Sequence, residues 1–304
     1  MLVFSVSDKG GTGRSVTSTN LAYRSALRGN NTCYLDFDFG SPTIGSIFDL
    51  ENARRGVAGD GLHDYLRGIA PAARRIDVWA ESSHEFLRRR PGDGALTLLP
   101  GSHGGAEFDI DKKMVERCVD LFVALDEEYD LCVVDLSAGR SFAVELVLQA
   151  TARQSLRGVP ARWLVFHKWT RQHVIAANSL VYGEHGLLES GKTTGHTEDE
   201  MRRMIRFVRT AVIDPYGAQV ARLSGPQQTW LQEVNRDLEK AAAKLELGRA
   251  MQIGTIPLDP VLQWREQLIL DRDVHTTEVA NQATVDAFEN LAGFVADPEL
   301  WEGS

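Results

Sequence analysis

The stretch LVFSVSDKGGTGRSVTSTNLA, residues 2–22, restricts the fold of this chain more than any other. A short run of β-forming residues (LVFSV, 2–6) enters a loop holding Gly10, Gly11 and Gly13. The loop enters a segment of helical spacing, marked by Leu21, Ser25 and Leu27–Arg28, that stops at Gly29. A buried strand followed at once by a helix returns to its sheet by a crossover, so the strands run parallel and both faces of the sheet need helical cover.

The rest of the chain repeats that alternation. Residues 31–40 (NTCYLDFDFG) form the next buried run, and ALTLLPG, DLCVVDLSAG, ARWLVFHK, IRFVRTAVID and MQIGTIPLD each close on a polar or glycine-containing turn. Helical patterns fall at about 111–127, 141–152, 171–183, 227–247, 260–270 and 276–296. The expected fold is a three-layer α/β sandwich, a mostly parallel twisted sheet with helices on both faces, and 304 residues suit one such domain over 1–304. Two stretches, 51–94 and 183–200, break the alternation and read as insertions or long loops.

A formal charge of −9 argues against a surface built to neutralise phosphates over its whole extent. Arg88, Arg89 and Arg90 form one local basic group, and Arg202, Arg203, Arg206 and Arg209 a second at helical spacing. Acidic neighbours balance both, so they read as solvated faces with salt bridges, and DNA binding is left open but not favoured. Cys33, Cys118 and Cys132 lie in apolar stretches without metal-ligand spacing, which fits buried thiols in a reducing compartment. The first residues lack a basic leader, and no apolar run reaches the length of about 18 residues that a membrane span needs, so a cytoplasmic location is expected. The tail from residue 278 has an apolar stripe at Val285, Phe288, Leu291, Ala292 and Val295 but no lysine or arginine. It is expected to pack on the core, not to bind a membrane.

The loop itself has the parts of a phosphate cradle. Glycines let successive N–H groups turn inward, a cation meets the outer phosphates, and a hydroxyl at the helix start can reach Mg²⁺. Gly10, Gly11 and Gly13, then Arg14 and Ser15, supply those types in order. In an open parallel sheet, ligands sit beyond the carboxyl ends of the strands, where the ends of FSVSDKGG, YLDFDFG and CVVDLSAG would meet.

KGGTGRS (9–15), with its leading lysine, resembles the deviant Walker A loop of the ParA/MinD family of P-loop ATPases. STNLA (18–22), YLDFDFGSPTIGSIFDL (34–50), YDLCVVDLSAG (129–139) and IGTIPLDPVL (253–262) are similar to further motifs of that family, in the same order. The resemblance implies the P-loop NTPase fold, ATP or ADP with Mg²⁺ as cofactors, and a nucleotide-dependent homodimer that acts on a further protein partner. It implies that Lys9 reaches across the dimer to the other subunit's phosphates. Residues 10–16, from Gly10 through Thr12 to Val16, would cradle the nucleotide, and Pro257 would line the base. Ser15 and Asp135 would hold Mg²⁺ with support from Asp36, and Asp38 would position the attacking water.

Two residues of the loop depart from the family's pattern. Arg14 stands where the lysine bridging the β- and γ-phosphates belongs, and its wide planar fork does not act as a point charge in a nest of amides. Val16 replaces a hydroxyl that would bond the α-phosphate, a loss of about 1 kcal/mol. No base-reading residue is evident in VFHKWT (165–170) or AVIDPYG (211–217). Arg140 reads as a surface arginine at a helix start, and His167 and Lys168 as a solvated strand end. These features predict a nucleotide-binding dimeric switch with weak or partner-dependent hydrolysis, and as the alternative a non-hydrolysing scaffold or adaptor.

Overall fold

The computed structural model describes residues 1–105 and 108–302. Its strands are β1 (Leu2–Val6), β2 (Thr32–Phe37), β3 (Ile76–Asp77), β4 (Leu96–Leu99), β5 (Leu131–Leu136), β6 (Ala161–Lys168), β7 (Ile205–Val212) and β8 (Gln252–Pro257). They form one sheet in the order β3-β4-β2-β5-β1-β6-β7-β8, with every pairing parallel except β3 against β4. The expected fold class is the one observed.

The longer helices are α1 (Arg14–Leu27), α2 (Lys112–Glu128), α3 (Phe142–Thr151), α4 (Arg171–Tyr182), α5 (Leu187–Thr194), α6 (Glu198–Met204), α7 (Gly225–Lys244) and α8 (Gln282–Ala296). Period-2 alternation divides them between the two faces. Leu2, Phe4 and Val6 of β1 point into a core shared with α2, α3, α4, α5 and the inner side of α7, whereas Val3 points into a second core built with α1 and α8. Helix starts are set by local chemistry: Asp111 accepts from the Met114 amide, Ser141 from that of Val144, and Thr197 with Glu200 closes a capping box.

The two interrupting stretches have structure of their own. In 51–94 the edge strand β3 joins the sheet antiparallel to β4, and the buried Trp79 indole donates to the Gly94 carbonyl at 2.9 Å. In 183–200 lie α5 and the start of α6.

Three expectations are corrected. The helix expected at 260–270 covers only Pro260–Trp264. Beyond it, side chains of α1 take the backbone groups that a helix would use: Asn20 donates to the Gln267 carbonyl and accepts from the Ile269 amide, and Arg24 donates to the Ile269 carbonyl. The last long helix starts at Gln282, not near 276, because the buried Asp259 accepts from the Asn281 amide and the Thr284 hydroxyl and fixes the entry there. Arg206 and Arg209 are not on a helix with Arg202 and Arg203; they are buried residues of β7. Arg206 donates to the carbonyls of Arg203, Ile205 and Leu300. Arg209 pairs with Glu239 at 2.7 Å and lies 3.7 Å over the Trp169 ring.

The tail packs as its stripe implies, with Val285, Phe288, Leu291, Ala292 and Val295 all buried. Trp301 anchors the end between Arg162 and Arg206, whose guanidinium carbons stand 4.4 and 5.0 Å from its ring, and its indole donates to the Phe294 carbonyl. Residues 303–304 of that tail lie outside the described residues. The three cysteines are buried and free, and among the described residues no helix is long and apolar enough to cross a membrane.

Candidate functional site

The site grows out of the sheet face that α1 covers. Along that face Val3, Tyr34 and Val133 are core residues, and two positions further on the row turns polar, to Ser5, Asp36 and Asp135. Registers Ser5↔Asp135 and Asp36↔Asp135 place the three side by side on β1, β5 and β2. On the other flank the same alternation brings Lys168 of β6 beside Thr210 of β7. The residues between β1 and α1 lie over this polar row.

Gly11 and Gly13 take the left-handed backbone conformation, with φ of 69° and 77°, which lets the chain reverse into α1. Tertiary bonds hold the loop: the Gly139 amide donates to the Ser7 carbonyl at 2.8 Å, and the Thr210 hydroxyl to the Thr12 carbonyl at 2.5 Å. Gly13 is the N-cap, and among the described residues no side chain caps α1, so the first amides of the helix have no side-chain acceptor. A Cβ built on Gly10 or Gly11 meets nothing within 4 Å, so the loop mouth is open. These amides, with the positive end of the helix, suit an anionic ligand.

Arg14 does not extend along the loop. Its Nε stands 2.6 Å from Oδ1 of Asp135 and its Nη2 2.9 Å from Oδ2 of Asp38, with Ser7 Oγ and Ser15 Oγ at 3.4 and 3.5 Å. Arg14 is 6 % exposed and Asp135 0 %. A fully buried carboxylate demands a counter-charge, and Arg14 supplies it at Oδ1, while Oδ2 has no hydrogen-bond partner. Burial acts to lower the arginine's pKa, but the charges of Asp135 and Asp38 outweigh it and raise it. Burial pushes the Asp135 carboxyl up, and Arg14 opposes that shift.

Asp36 turns to the backbone. Its two oxygens accept from the amides of Asp38 and Ile44, so it fastens the turn into the short helix Ile44–Ile47. Burial and the neighbouring Asp135 hold its pKa well above the ordinary carboxylate range. Asp38 is spent on Arg14, and Ser15 is half-buried beside the same guanidinium. Of the three side chains expected around Mg²⁺, Ser15 and Asp135 converge on Arg14 and Asp36 caps backbone, an arrangement that suits the guanidinium and not the ion. Among the described residues no group of three or more His, Cys, Asp or Glu is arranged to hold a metal ion.

A cleft of about 100 Å³ opens beside the loop, lined by Gly11, Gly13, Val16, Lys168, Pro257 and Gln263 among others. It brings Pro257 and Val16 together with the glycines and adds Thr17, Thr210, Gln263 and Glu266, which sequence reasoning missed. Gln263 and Glu266 were hidden in the expected helix 260–270, where only their distance past the β8 end marks them. Lys9 is half-buried at the loop mouth, where its carbonyl accepts from the Ser7 hydroxyl.

His167 and Lys168 separate, because successive strand residues face opposite ways. Lys168 lines the cleft, whereas His167 is buried on the other face against Phe207 and Trp169, its Nε2 without a partner and its pKa pushed down to about 4 by burial. Arg140 is a clamp, donating to the carbonyls of Ser179 and His185 and standing 3.6 Å from Asp8.

No protein-family model matches the chain. The septum site-determining protein MinD of Bacillus subtilis is 23% identical to it over 133 residues, which cover 44% of this chain and 43% of that one, less than half the length of the relative. Among solved structures, the MinC:MinD cell division protein complex of Aquifex aeolicus aligns with a TM-score of 0.61 at 18% identity over 97% of this chain and 95% of that chain. MinD of Pyrococcus horikoshii complexed with Mg-ADP aligns with a TM-score of 0.54 at 15% identity over the same shares of the two chains. The eight-stranded, mostly parallel sheet with helices on both faces is thus the P-loop NTPase fold of the MinD structures.

Proposed function

We propose that this protein is a ParA/MinD-type nucleotide-binding switch whose loop, residues 9–16, holds the phosphates of ATP or ADP, and whose hydrolysis is weak or depends on a partner. The observation that carries the reading is the conjunction at the sheet's carboxyl edge. Gly11 and Gly13 are left-handed between β1 and α1, the α1 amides lack a side-chain cap, and the cleft with Val16 and Pro257 opens beside them. Phosphates fit the amide cradle, with Lys9 and Lys168 as further cations, and an aromatic base fits the side of Pro257. The MinD structure described as complexed with Mg-ADP shares the fold.

Weak turnover follows from Asp38. In the proposed role it positions the attacking water, but here its Oδ2 is bonded to Arg14 at 2.9 Å. A carboxylate neutralised in this way orients water poorly, and misplaced charge on a transferring phosphoryl group costs roughly two to three orders of magnitude in rate. In this reading Lys9, half-buried at the mouth, meets the nucleotide of a second copy, so two chains would close over the nucleotides. The chain acts as one domain in the cytoplasm, with a protein partner. Mg²⁺ forms no part of this reading, because its expected ligands are engaged otherwise.

Light scattering of the purified protein with ATP, with ADP and without nucleotide, run beside phosphate release, tests the reading. ATP should shift the mass toward two copies with slow release of phosphate; neither nucleotide binding nor a mass change refutes it. The Arg14 contacts favour a second reading, a scaffold that binds nucleotide and never hydrolyses it. Turnover that rises well above background with a partner and collapses in Asp38→Ala would exclude the scaffold.

A further inference from the structure

We infer that the Arg14 guanidinium is the resident cation of this site, so that nucleotide phosphates bind the loop without a divalent ion. The inference rests on the nucleotide reading above and goes beyond it in naming the charge state of the ligand: the free di- or triphosphate, not its Mg²⁺ complex.

The argument is geometric. Ser15, Asp38 and Asp135, which the resemblance assigns to Mg²⁺ and the attacking water, converge on one guanidinium at 3.5, 2.9 and 2.6 Å. The fork spans both carboxylates at once, which a point cation on a flexible stem does not do. Arginine keeps its charge at every accessible pH. A divalent ion entering the same space would have to displace an arginine that is 6 % exposed from a carboxylate that is fully buried. If it entered without displacing the arginine, it would face a like charge in a water-poor setting. Asp36 is given over to the backbone instead, each of its oxygens accepting one amide. The guanidinium neutralises the carboxylates in the place of an ion, and the phosphate charge is met by the amides of residues 10–15 and by Lys9 and Lys168.

Calorimetric titration of the whole protein with ADP in excess EDTA and in excess MgCl₂, paired with electron paramagnetic resonance of Mn²⁺, tests this. The two affinities should agree within about twofold, and the signal of free Mn²⁺ should be unchanged by the protein with or without ADP. Arg14→Gln, which removes the charge and frees the Asp38–Asp135 pair, should immobilise Mn²⁺. Tightening of ADP by about tenfold or more in MgCl₂, or immobilised Mn²⁺ in the wild type, overturns the inference while leaving nucleotide binding intact. If ADP binds in neither medium, the functional reading fails, and the Mn²⁺ signals of wild type and Arg14→Gln decide this inference alone, equal signals overturning it. Should Arg14→Gln not fold, the wild-type measurements decide.

Discussion

Replacing Arg14 by methionine keeps most of the side-chain volume and removes the charge. Asp135 is then left fully buried without the guanidinium that bonds its Oδ1. Breaking a buried pair from one side costs about 3–5 kcal/mol, because the remaining charge has neither water nor counter-ion. Part of that cost is relieved if the orphaned acid is neutralised as well. Arg14→Met with Asp135→Asn should therefore be about 1–3 kcal/mol more stable than the sum of the two single changes. Urea unfolding at neutral pH of the wild type, both single variants and the double variant supplies the four corners of the cycle. Acid should also help the single variant. A carboxyl whose folded pKa is raised above its unfolded value destabilises at high pH and ceases to do so as pH falls through the raised value, so Arg14→Met should gain on the wild type on mild acidification. A loss below about 1 kcal/mol in Arg14→Met, or strict additivity in the double variant, would refute the buried ion pair as described.

Arg14→Lys returns the loop to the pattern it resembles and should raise ATP turnover by about 10- to 100-fold in a phosphate-release assay; an unchanged rate with nucleotide still bound would place the defect elsewhere in the site. His167, depressed to about 4 from 6.5, contributes stability that is complete above pH 6.5 and declines as pH falls toward 4, where the unfolded chain takes a proton that the folded one refuses. That window is worth about 3 kcal/mol, and it should flatten in His167→Gln when unfolding is followed across pH. Trp301→Ala removes the ring between Arg162 and Arg206 and should cost about 3–5 kcal/mol in thermal or urea unfolding.

How much of this was legible in advance depended on range. The parallel sheet was readable because β1, β2, β5 and β6 are short apolar runs that end in polar turns, and because Gly11 and Gly13 mark where strand becomes helix. Strand ends that close on polar residues were readable too, and the register then aligns Asp36 and Asp135 with Ser5, which the sequence did not single out. Contacts between side chains far apart in sequence were not. That Arg14 turns back to Asp135, 121 residues away, follows from the burial of that carboxylate, which spacing does not show. The same holds for Asn20 and Arg24, which keep 265–270 extended against an apolar pattern that favours helix. Arg206 and Arg209 misled for another reason: three residues apart they would share a face on a helix but face opposite ways on a strand, and only Trp301 on one side and Trp169 with Glu239 on the other make buried arginines tenable on β7. Asp36 was assigned outward to a ligand because two acids in DFD look alike, while the amides of Asp38 and Ile44 separate their roles.

The central claim is that the glycine loop holds phosphates. Calorimetric titration of the wild-type protein with ATP, ADP and adenosine tests it most directly, because only the first two carry what the loop amides are built to receive. Saturable binding of ATP and ADP, with adenosine weaker by about tenfold or more, is the predicted result. The absence of saturable binding for all three, or adenosine binding as tightly as ADP, would contradict it.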